Sequence, residues 1–197
     1  GGTANFNGTT LSGSVSMSSG TLGGAGNVTL AGLTTWSGGT MSGTGTTIVS
    51  AGGTLNLSGS IRSLNRTLQN DGTVSWTAGT LAMGNGTFNN NGSFTADSAS
   101  TLQSYGSGGS PNTFNNAGTF TKLGAGTTSF TTSGSGVTFN NTGTVDVQAG
   151  TLTFSTVAQV SGTTLTGGTW NVAGTLNLPG SNIPENQGAV TLSGSAT

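Results

Sequence analysis

The sequence predicts an all-β fold, a single-stranded parallel β-helix (β-solenoid) of about nine coils. Three observations predict it. A glycine recurs at intervals of 19 to 26 residues, apolar residues recur two and four positions after it, and polar residues stand between them. Repeats with a period of about 20 to 50 residues are the signature of an architecture in which similar units stack on one another.

The recurring glycine anchors nine copies of the motif, at Gly13, Gly32, Gly53, Gly72, Gly92, Gly118, Gly143, Gly168 and Gly188. The interval lengthens from about 20 residues to about 25 between Gly92 and Gly168, so we expect longer loops in those coils. A glycine at a fixed place in every coil suits a corner, where φ is positive or another backbone comes close.

The positions after each glycine alternate in polarity. Those two and four residues after it are apolar in 16 of 18 cases, with Thr34 and Lys122 as the exceptions, and the position between them is always polar. This period of two predicts a strand that buries one side. A single strand cannot bury that side alone, so successive coils should stack about 4.8 Å apart with equivalent residues above one another.

A second repeated position lies two residues before the glycine and predicts a structural asparagine ladder of Asn70, Asn90, Asn116 and Asn141. Asparagine amides stacked on successive strands can bond one another, as in cross-β assemblies. Four residues before the glycine, an apolar column is expected from Val28, Val49, Leu68, Phe88, Phe114 and Phe139.

The polar positions one and three residues after the glycine form a candidate exposed threonine face. Its members are Thr73, Ser75, Ser93, Thr95, Thr119, Thr121, Thr144 and Thr169. A flat array of this kind resembles the surfaces of ice-binding proteins, whereas threonine is also simply a good polar strand former. Asn56, Asp146 and Asn171 interrupt the array, which favours the second interpretation.

Two runs carry a resemblance to a known group of proteins. The run from Trp36 to Gly43 reads Trp-Ser-Gly-Gly-Thr-Met-Ser-Gly, and Phe-Asn-Asn-x-Gly-Thr-apolar begins at Phe114 and at Phe139. These runs resemble repeats of large secreted bacterial β-helix proteins, similar to filamentous haemagglutinin and autotransporter adhesins, and the resemblance extends over essentially the whole chain. It implies a right-handed β-helix, export, and a role in adhesion or in a cell-surface fibre. It supplies no catalytic motif.

Composition excludes several classes of function. The net charge is −1, with three Lys and Arg residues, so nothing attracts nucleic acid electrostatically. No apolar run approaches the roughly 20 residues needed for membrane insertion. Asp71, Asp97 and Asp146 fall in different columns and Glu185 in a late proline-containing loop, so no pair of carboxylates is arranged for catalysis. We therefore expect no enzymatic activity, no metal and no cofactor.

The remaining candidate residues have ordinary structural interpretations. Arg62 and Arg66 are expected to be solvated or to tether loops, and the Lys122 ammonium to reach solvent at a strand end. Trp36 and Trp76 fall in the inward column and should be core. Tyr105, in a Gly/Ser loop, is the one aromatic expected at the surface, and loops such as residues 103–112 could bind glycans.

These expectations combine into one hypothesis, a secreted or cell-surface structural or adhesive rod. The near-absence of charge fits the cell exterior better than the cytosol. Residues 1–197 should form one solenoid domain, either processed or a fragment of a longer array, since the chain starts at Gly1. The expected partners are copies of itself or adjacent repeats, through end-to-end coil stacking, and cell-surface glycans. Ice binding and glycan binding are the alternatives.

Overall fold

In a computed structural model, the structure describes residues 1–98, 102–106, 112–131, 136–180 and 183–193, with the backbone alone for 102–106. These residues form 26 strands and no helix, which confirms the all-β prediction. The strands are β1 (Thr3–Asn5), β2 (Thr9–Leu11), β3 (Val15–Met17), β4 (Thr21–Gly23), β5 (Val28–Leu30), β6 (Leu33–Trp36), β7 (Gly39–Val49), β8 (Thr54–Leu57), β9 (Ile61–Asn70), β10 (Thr73–Trp76), β11 (Thr80–Met83), β12 (Thr87–Asn90), β13 (Ser93–Ala96), β14 (Leu102–Gly106), β15 (Asn112–Asn116), β16 (Thr119–Lys122), β17 (Thr127–Phe130), β18 (Val137–Asn141), β19 (Thr144–Val147), β20 (Thr151–Phe154), β21 (Val160–Ser161), β22 (Thr164–Leu165), β23 (Thr169–Val172), β24 (Thr175–Asn177), β25 (Glu185–Asn186) and β26 (Ala189–Leu192).

All strands except β21, β22 and β25 stack in parallel into three faces; those three form a small separate sheet, in which β21 and β22 are antiparallel. Face 1 has the order β1-β4-β7-β9-β11-β14-β17-β20-β24, and face 2 the order β2-β5-β7-β9-β12-β15-β18. The long strands β7 and β9 run through both faces and join them into one 14-stranded sheet. Face 3 is a separate nine-stranded sheet, β3-β6-β8-β10-β13-β16-β19-β23-β26. The predicted β-solenoid is thus confirmed; the nine glycine-anchored segments are the nine strands of face 3, and about eight full turns separate the first from the last.

The register of face 3 follows the glycine-anchored alignment. Phe94 pairs with Phe120, and Phe120 with Val145, in successive coils. Because every neighbouring pair on this face keeps the same offset from its glycine, like side chains form continuous columns along the solenoid.

Face 2 departs from the alignment at one place. Val49 pairs with Leu30 and Asn70, and it is Thr47 that lies between Val28 and Leu68. The prediction that Val49 belongs to the apolar column of Val28 and Leu68 is therefore wrong. The reason is a two-residue insertion, Ala51-Gly52, in the corner before Gly53.

Aromatic rings fill the core of the later coils. Phe88 and Phe114 stack with centroids 4.6 Å apart, Phe94 and Phe120 stack at 5.0 Å, and the two pairs meet edge to face. Offset-stacked and edge-to-face contacts are the favoured geometries of aromatic pairs. Trp36 and Trp76 are fully buried, as predicted.

The corner glycines are required by close approach rather than by backbone conformation. Among the nine anchors only Gly168 has a positive φ. A Cβ on Gly92, Gly118 or Gly143 would lie 2.2 Å from a carbonyl oxygen of the coil before it. Any larger residue would therefore separate the coils at this corner.

The corner between faces 1 and 2 varies in length. The connection consists of residues 84–86 between β11 and β12, residues 107–111 between β14 and β15, and residues 131–136 between β17 and β18. The longer repeat thus adds residues between strands, while β12, β15 and β18 keep their register.

Candidate functional site

The outer side of face 3 carries the predicted threonine face in two columns. Thr73, Ser93, Thr119, Thr144 and Thr169 form one column, and Ser75, Thr95 and Thr121 form the other. All eight side chains are exposed or half-buried. Their hydroxyl and methyl groups form a two-dimensional lattice, with one spacing between positions along a strand and another between strands of successive coils.

The two columns of this lattice are continuous from coil to coil, but not all of their residues are threonine or serine. The second column continues from Thr121 to Asp146 and Asn171, and Asn56 precedes Ser75 in it. Thr119 and Thr121 make the single rung on face 3 in which both positions are threonine. The face is therefore a polar surface with few charges, on which threonine is the commonest residue.

The asparagine ladder lies inside the corner between faces 2 and 3. Asn70, Asn90, Asn116 and Asn141 are buried, and each Nδ2 of the first three donates to the Oδ1 of the next, at 2.7, 2.7 and 2.9 Å. Each of the four also donates to the backbone carbonyl of the first residue of the face 3 strand in the following coil, as Asn116 does to Thr144 at 2.9 Å. The ladder thereby satisfies its own polar atoms and joins each corner to the following coil.

A second ladder of amides runs along the outer side of the same strands. Asn115 Nδ2 donates to Asn89 Oδ1 at 2.8 Å, and Asn140 Nδ2 donates to Asn115 Oδ1 at 3.1 Å. Gln159 ends it by donating to Asn140 Oδ1 at 2.6 Å. We did not predict this ladder, although the consecutive asparagines after Phe88, Phe114 and Phe139 carry its signal, because neighbours in a strand point to opposite sides.

Arg62, Arg66 and Lys122 are all buried, so the prediction that the Lys122 ammonium reaches solvent is wrong. Of the two roles expected for the arginines, solvation is wrong and the tethering of loops is the one that they fill. Arg66 donates to the carbonyls of Gly45 at 2.7 Å, Ser42 at 3.1 Å and Gly26 at 3.2 Å, and so ties three corners together. The interior accepts these charges because backbone carbonyls replace water as hydrogen-bond acceptors.

The other two cations are held in the same way. Arg62 donates to the carbonyls of Ser58 and Ala78, and Lys122 donates to that of Gly124. Lys122 ends strand β16, as expected, but its side chain lies in the core column beside Ala96, whose small side chain leaves room for it.

Burial shifts the ionisation of these groups. Loss of hydration lowers the pKa of Arg62 to about 10 and also lowers the pKa of Arg66. Desolvation lowers the pKa of Lys122 as well, and the carboxylate of Asp97 partly opposes that shift. A buried charge of this kind costs free energy of folding that the carbonyl bonds only partly offset.

Three buried hydroxyl groups interrupt the apolar columns. Thr34 stands between Val15 and Leu55 on face 3, Thr47 between Val28 and Leu68 on face 2, and Thr128 beside Leu152 on face 1. The Oγ1 atoms of all three are buried without a hydrogen-bond partner. Such a group loses its hydration on folding and gains nothing in return.

The acidic side chains are held separately at the surface. Asp71 accepts from Gln69 at 2.7 Å and from Asn91 at 2.8 Å, Asp146 accepts from Gln148 at 2.6 Å, and Glu185 accepts from Thr164 at 2.9 Å. Within the described residues, no group of three or more acidic, His or Cys side chains could hold a metal ion. No helix in that part of the chain has the length and hydropathy of a membrane span.

The candidate glycan-binding loop is only partly described. Tyr105 lies in strand β14, so the prediction that it belongs to a loop is wrong, and its side chain is outside the described residues. Of the segment 103–112, residues 107–111 are also outside them, and Asn112 begins strand β15.

Among the described residues, apolar side chains are accessible at both ends of the solenoid. At the N-terminal end a cavity of about 350 Å³ is lined by Phe6, Leu11, Val15, Met17 and Leu22, among others. At the C-terminal end, Val190 and Leu192 of β26 are 42% and 78% exposed.

Comparison with known proteins finds no family model that matches this chain. No curated protein and no solved structure matches it either.

Proposed function

We propose that the protein is an extracellular structural or adhesive rod module without catalytic activity. The observation that carries the proposal is the continuous register of face 3, in which nine parallel strands stack on one core. Stacked coils that contact only their neighbours form a stiff rod whose length follows the number of coils.

The surface of the rod supports the extracellular part of the proposal. Most outward positions of face 3 carry hydroxyl or amide groups, with Leu33, Asp146 and Ala189 as exceptions, and the whole chain has seven charged residues, three of which are buried. Proteins of the cytosol normally keep a mixed charged surface for solubility. A hydroxyl-rich surface suits contact with glycans and other polar layers outside the cell.

Two measurements test this function. Protease treatment of intact producing cells should remove the protein from their surface, and electron microscopy should show rods of constant width. Beads coated with the protein should adhere to cells or to a glycan array, whereas beads coated with heat-unfolded protein should not. Protein that is protected inside intact cells, together with beads that adhere to nothing, would exclude the proposal.

The in-register threonine columns favour ice binding as a second candidate function. The test is thermal hysteresis of the protein, with Thr119→Lys as the disrupting variant on face 3 and Thr151→Lys on face 1 as its matched control. Hysteresis that Thr119→Lys abolishes and Thr151→Lys preserves would support ice binding. A protein without hysteresis ends this candidate.

A further inference from the structure

The outer side of face 2 carries two columns of polar side chains that stay in register over four coils. One column is threonine in every coil, and the other is an amide in every coil. The columns are Thr67, Thr87, Thr113 and Thr138, and Gln69, Asn89, Asn115 and Asn140. We call these eight half-buried side chains the face 2 platform. It is more regular than the outer side of face 3, where Asp146 stands in one column.

The platform holds hydrogen-bonding groups that the protein does not use. The hydroxyl groups of its four threonines have no partner among the residues that the structure describes. An amide offers two N–H donors and two acceptor sites. Asn115 donates once to Asn89 and accepts once from Asn140, so one donor and one acceptor remain. Asn140 is in the same state, because it donates to Asn115 and accepts from Gln159.

These groups are fixed in place before a ligand arrives. Hydrogen bonds from coil to coil hold Asn89, Asn115 and Asn140 in one orientation, and a β-branched threonine has few rotamers. Side chains that are already ordered lose little conformational entropy on binding. Strands of successive coils lie about 4.8 Å apart, so the platform repeats the same donors and acceptors at that interval along the solenoid axis.

The charge and the chemistry of the platform select a class of ligand. None of its eight residues is charged, which matches an uncharged ligand and gives no attraction for nucleic acid or an acidic polysaccharide. None is apolar, whereas the centre of a protein interface is. Repeated hydroxyl groups, which both donate and accept, are the partners that fit a repeated set of unused donors and acceptors.

We propose that the face 2 platform binds an uncharged, extended glycan chain that lies along the solenoid axis, with about one sugar over each coil. This inference rests on the proposed adhesive function and names its surface and its class of ligand. One ring of an extended β-linked chain spans roughly the interval between coils, about 4.8 Å, so successive sugars meet equivalent threonine and amide groups.

The platform has a defined length. At one end Gln159 is bonded to Asn140, and at the other end Ile48 takes the place of an amide beside Gln69. Four coils lie between these limits, so the site should hold about four sugars.

Calorimetric titration with two uncharged β-linked series, cello-oligosaccharides and chito-oligosaccharides of increasing length, tests the ligand class. The affinity for at least one series should rise with chain length up to about four sugars and then level off, because the platform has four coils. It should be the same at low and high salt, since no charge takes part. Absence of binding to both series, or binding that salt abolishes, would overturn the proposal.

Valine in the threonine column tests the surface. The double variant Thr87→Val with Thr113→Val keeps the β-branched shape and removes two hydroxyl groups, so the affinity should fall by about 10-fold while the urea midpoint stays near the wild-type value. Thr119→Val with Thr144→Val makes the same change on face 3 and should leave the affinity unchanged. If the two pairs have equal effects, the site is not on face 2.

Two further outcomes separate this inference from the proposed function and from ice binding. If beads coated with wild type and with the face 2 pair adhere equally to cells while neither oligosaccharide series binds, the adhesive rod stands and the platform is rejected as its site. Thermal hysteresis that the face 2 pair abolishes and the face 3 pair preserves would identify ice as the ligand of the platform and overturn the proposal.

Discussion

The adjacent glycines Gly52 and Gly53 lie in the corner before β8. They allow the effect of close packing between coils on stability to be measured separately from the effect of backbone flexibility. A Cβ on Gly53 would lie 2.3 Å from the carbonyl oxygen of Leu30 in the coil before it, whereas a Cβ on Gly52 would meet no atom within 4 Å. Neither glycine has a positive φ. Alanine at the two positions therefore makes the same chemical change in two different surroundings.

The structure gives the size of the difference. Ordinary van der Waals contact begins at 3.4 Å, so Gly53→Ala must move two coils apart by roughly 1 Å. That movement acts on the bond from Thr54 N to Gly32 O, which is 3.1 Å long. Overpacking costs about 1 to 3 kcal/mol and a lost hydrogen bond about 1 kcal/mol, so we expect Gly53→Ala to destabilise the fold by about 3 kcal/mol.

Gly52→Ala should change the free energy of unfolding by less than about 0.5 kcal/mol, or raise it slightly by restricting the unfolded chain. Urea denaturation measures both variants, and hydrogen exchange at residues 50–57 locates the effect. Equal destabilisation by the two alanines would refute the close-approach argument, because only the Cβ at position 53 meets the coil before it.

Three further predictions concern the buried polar groups. Asn116→Ala removes three hydrogen bonds of a buried amide and should lower the free energy of unfolding, measured by urea denaturation, by about 3 kcal/mol. Asn115→Ala, on the half-buried outer ladder, should lower it by about 1 kcal/mol. Similar losses of stability in the two variants would contradict the role of burial. Thr47→Val keeps the side-chain shape and removes a hydroxyl without a partner, so it should raise the melting temperature, and a loss of stability would count against the unbonded state of that hydroxyl. Lys122→Met should be neutral or stabilising at pH 7. Burial places the pKa of Lys122 in the folded protein below its value in the unfolded chain, so the destabilisation by the buried charge is complete below the folded pKa and disappears as pH rises towards 10.5. In this pH range the stability of the wild type should therefore approach that of Lys122→Met. Parallel pH profiles of the urea midpoints of the two proteins would disprove the shift.

Most of the fold could be read from spacing, because each face 3 strand begins just after its own glycine. The alternation after Gly72 or Gly118 is enough to place Val74 or Phe120 in the core, and the pairing of strands then follows. Val49 shows the limit of this reasoning. A glycine-anchored alignment cannot tell on which side of a corner two inserted residues lie. It therefore places Val49 beside Leu68, whereas Thr47 occupies that position.

The burial of the cations could not be predicted, since all of their acceptors are backbone carbonyls, which every residue has. Arg66 binds carbonyls of Gly26, Ser42 and Gly45, residues that a sequence pattern cannot associate with a guanidinium. The inner asparagines were recognisable because they repeat at one offset from the glycine. Their outer neighbours Asn89 and Asn115 repeat equally well, but polar residues on the outer side of a strand are normally assigned to solvent.

The unequal corner between faces 1 and 2 has a consequence for how such a rod can diversify. The connections at residues 84–86, 107–111 and 131–136 differ in length, yet β12, β15 and β18 pair without any shift. The same corner recurs in consecutive coils, and loops tolerate insertions better than the strands that they connect. Evolution can therefore lengthen this connection coil by coil without altering the packing of the core.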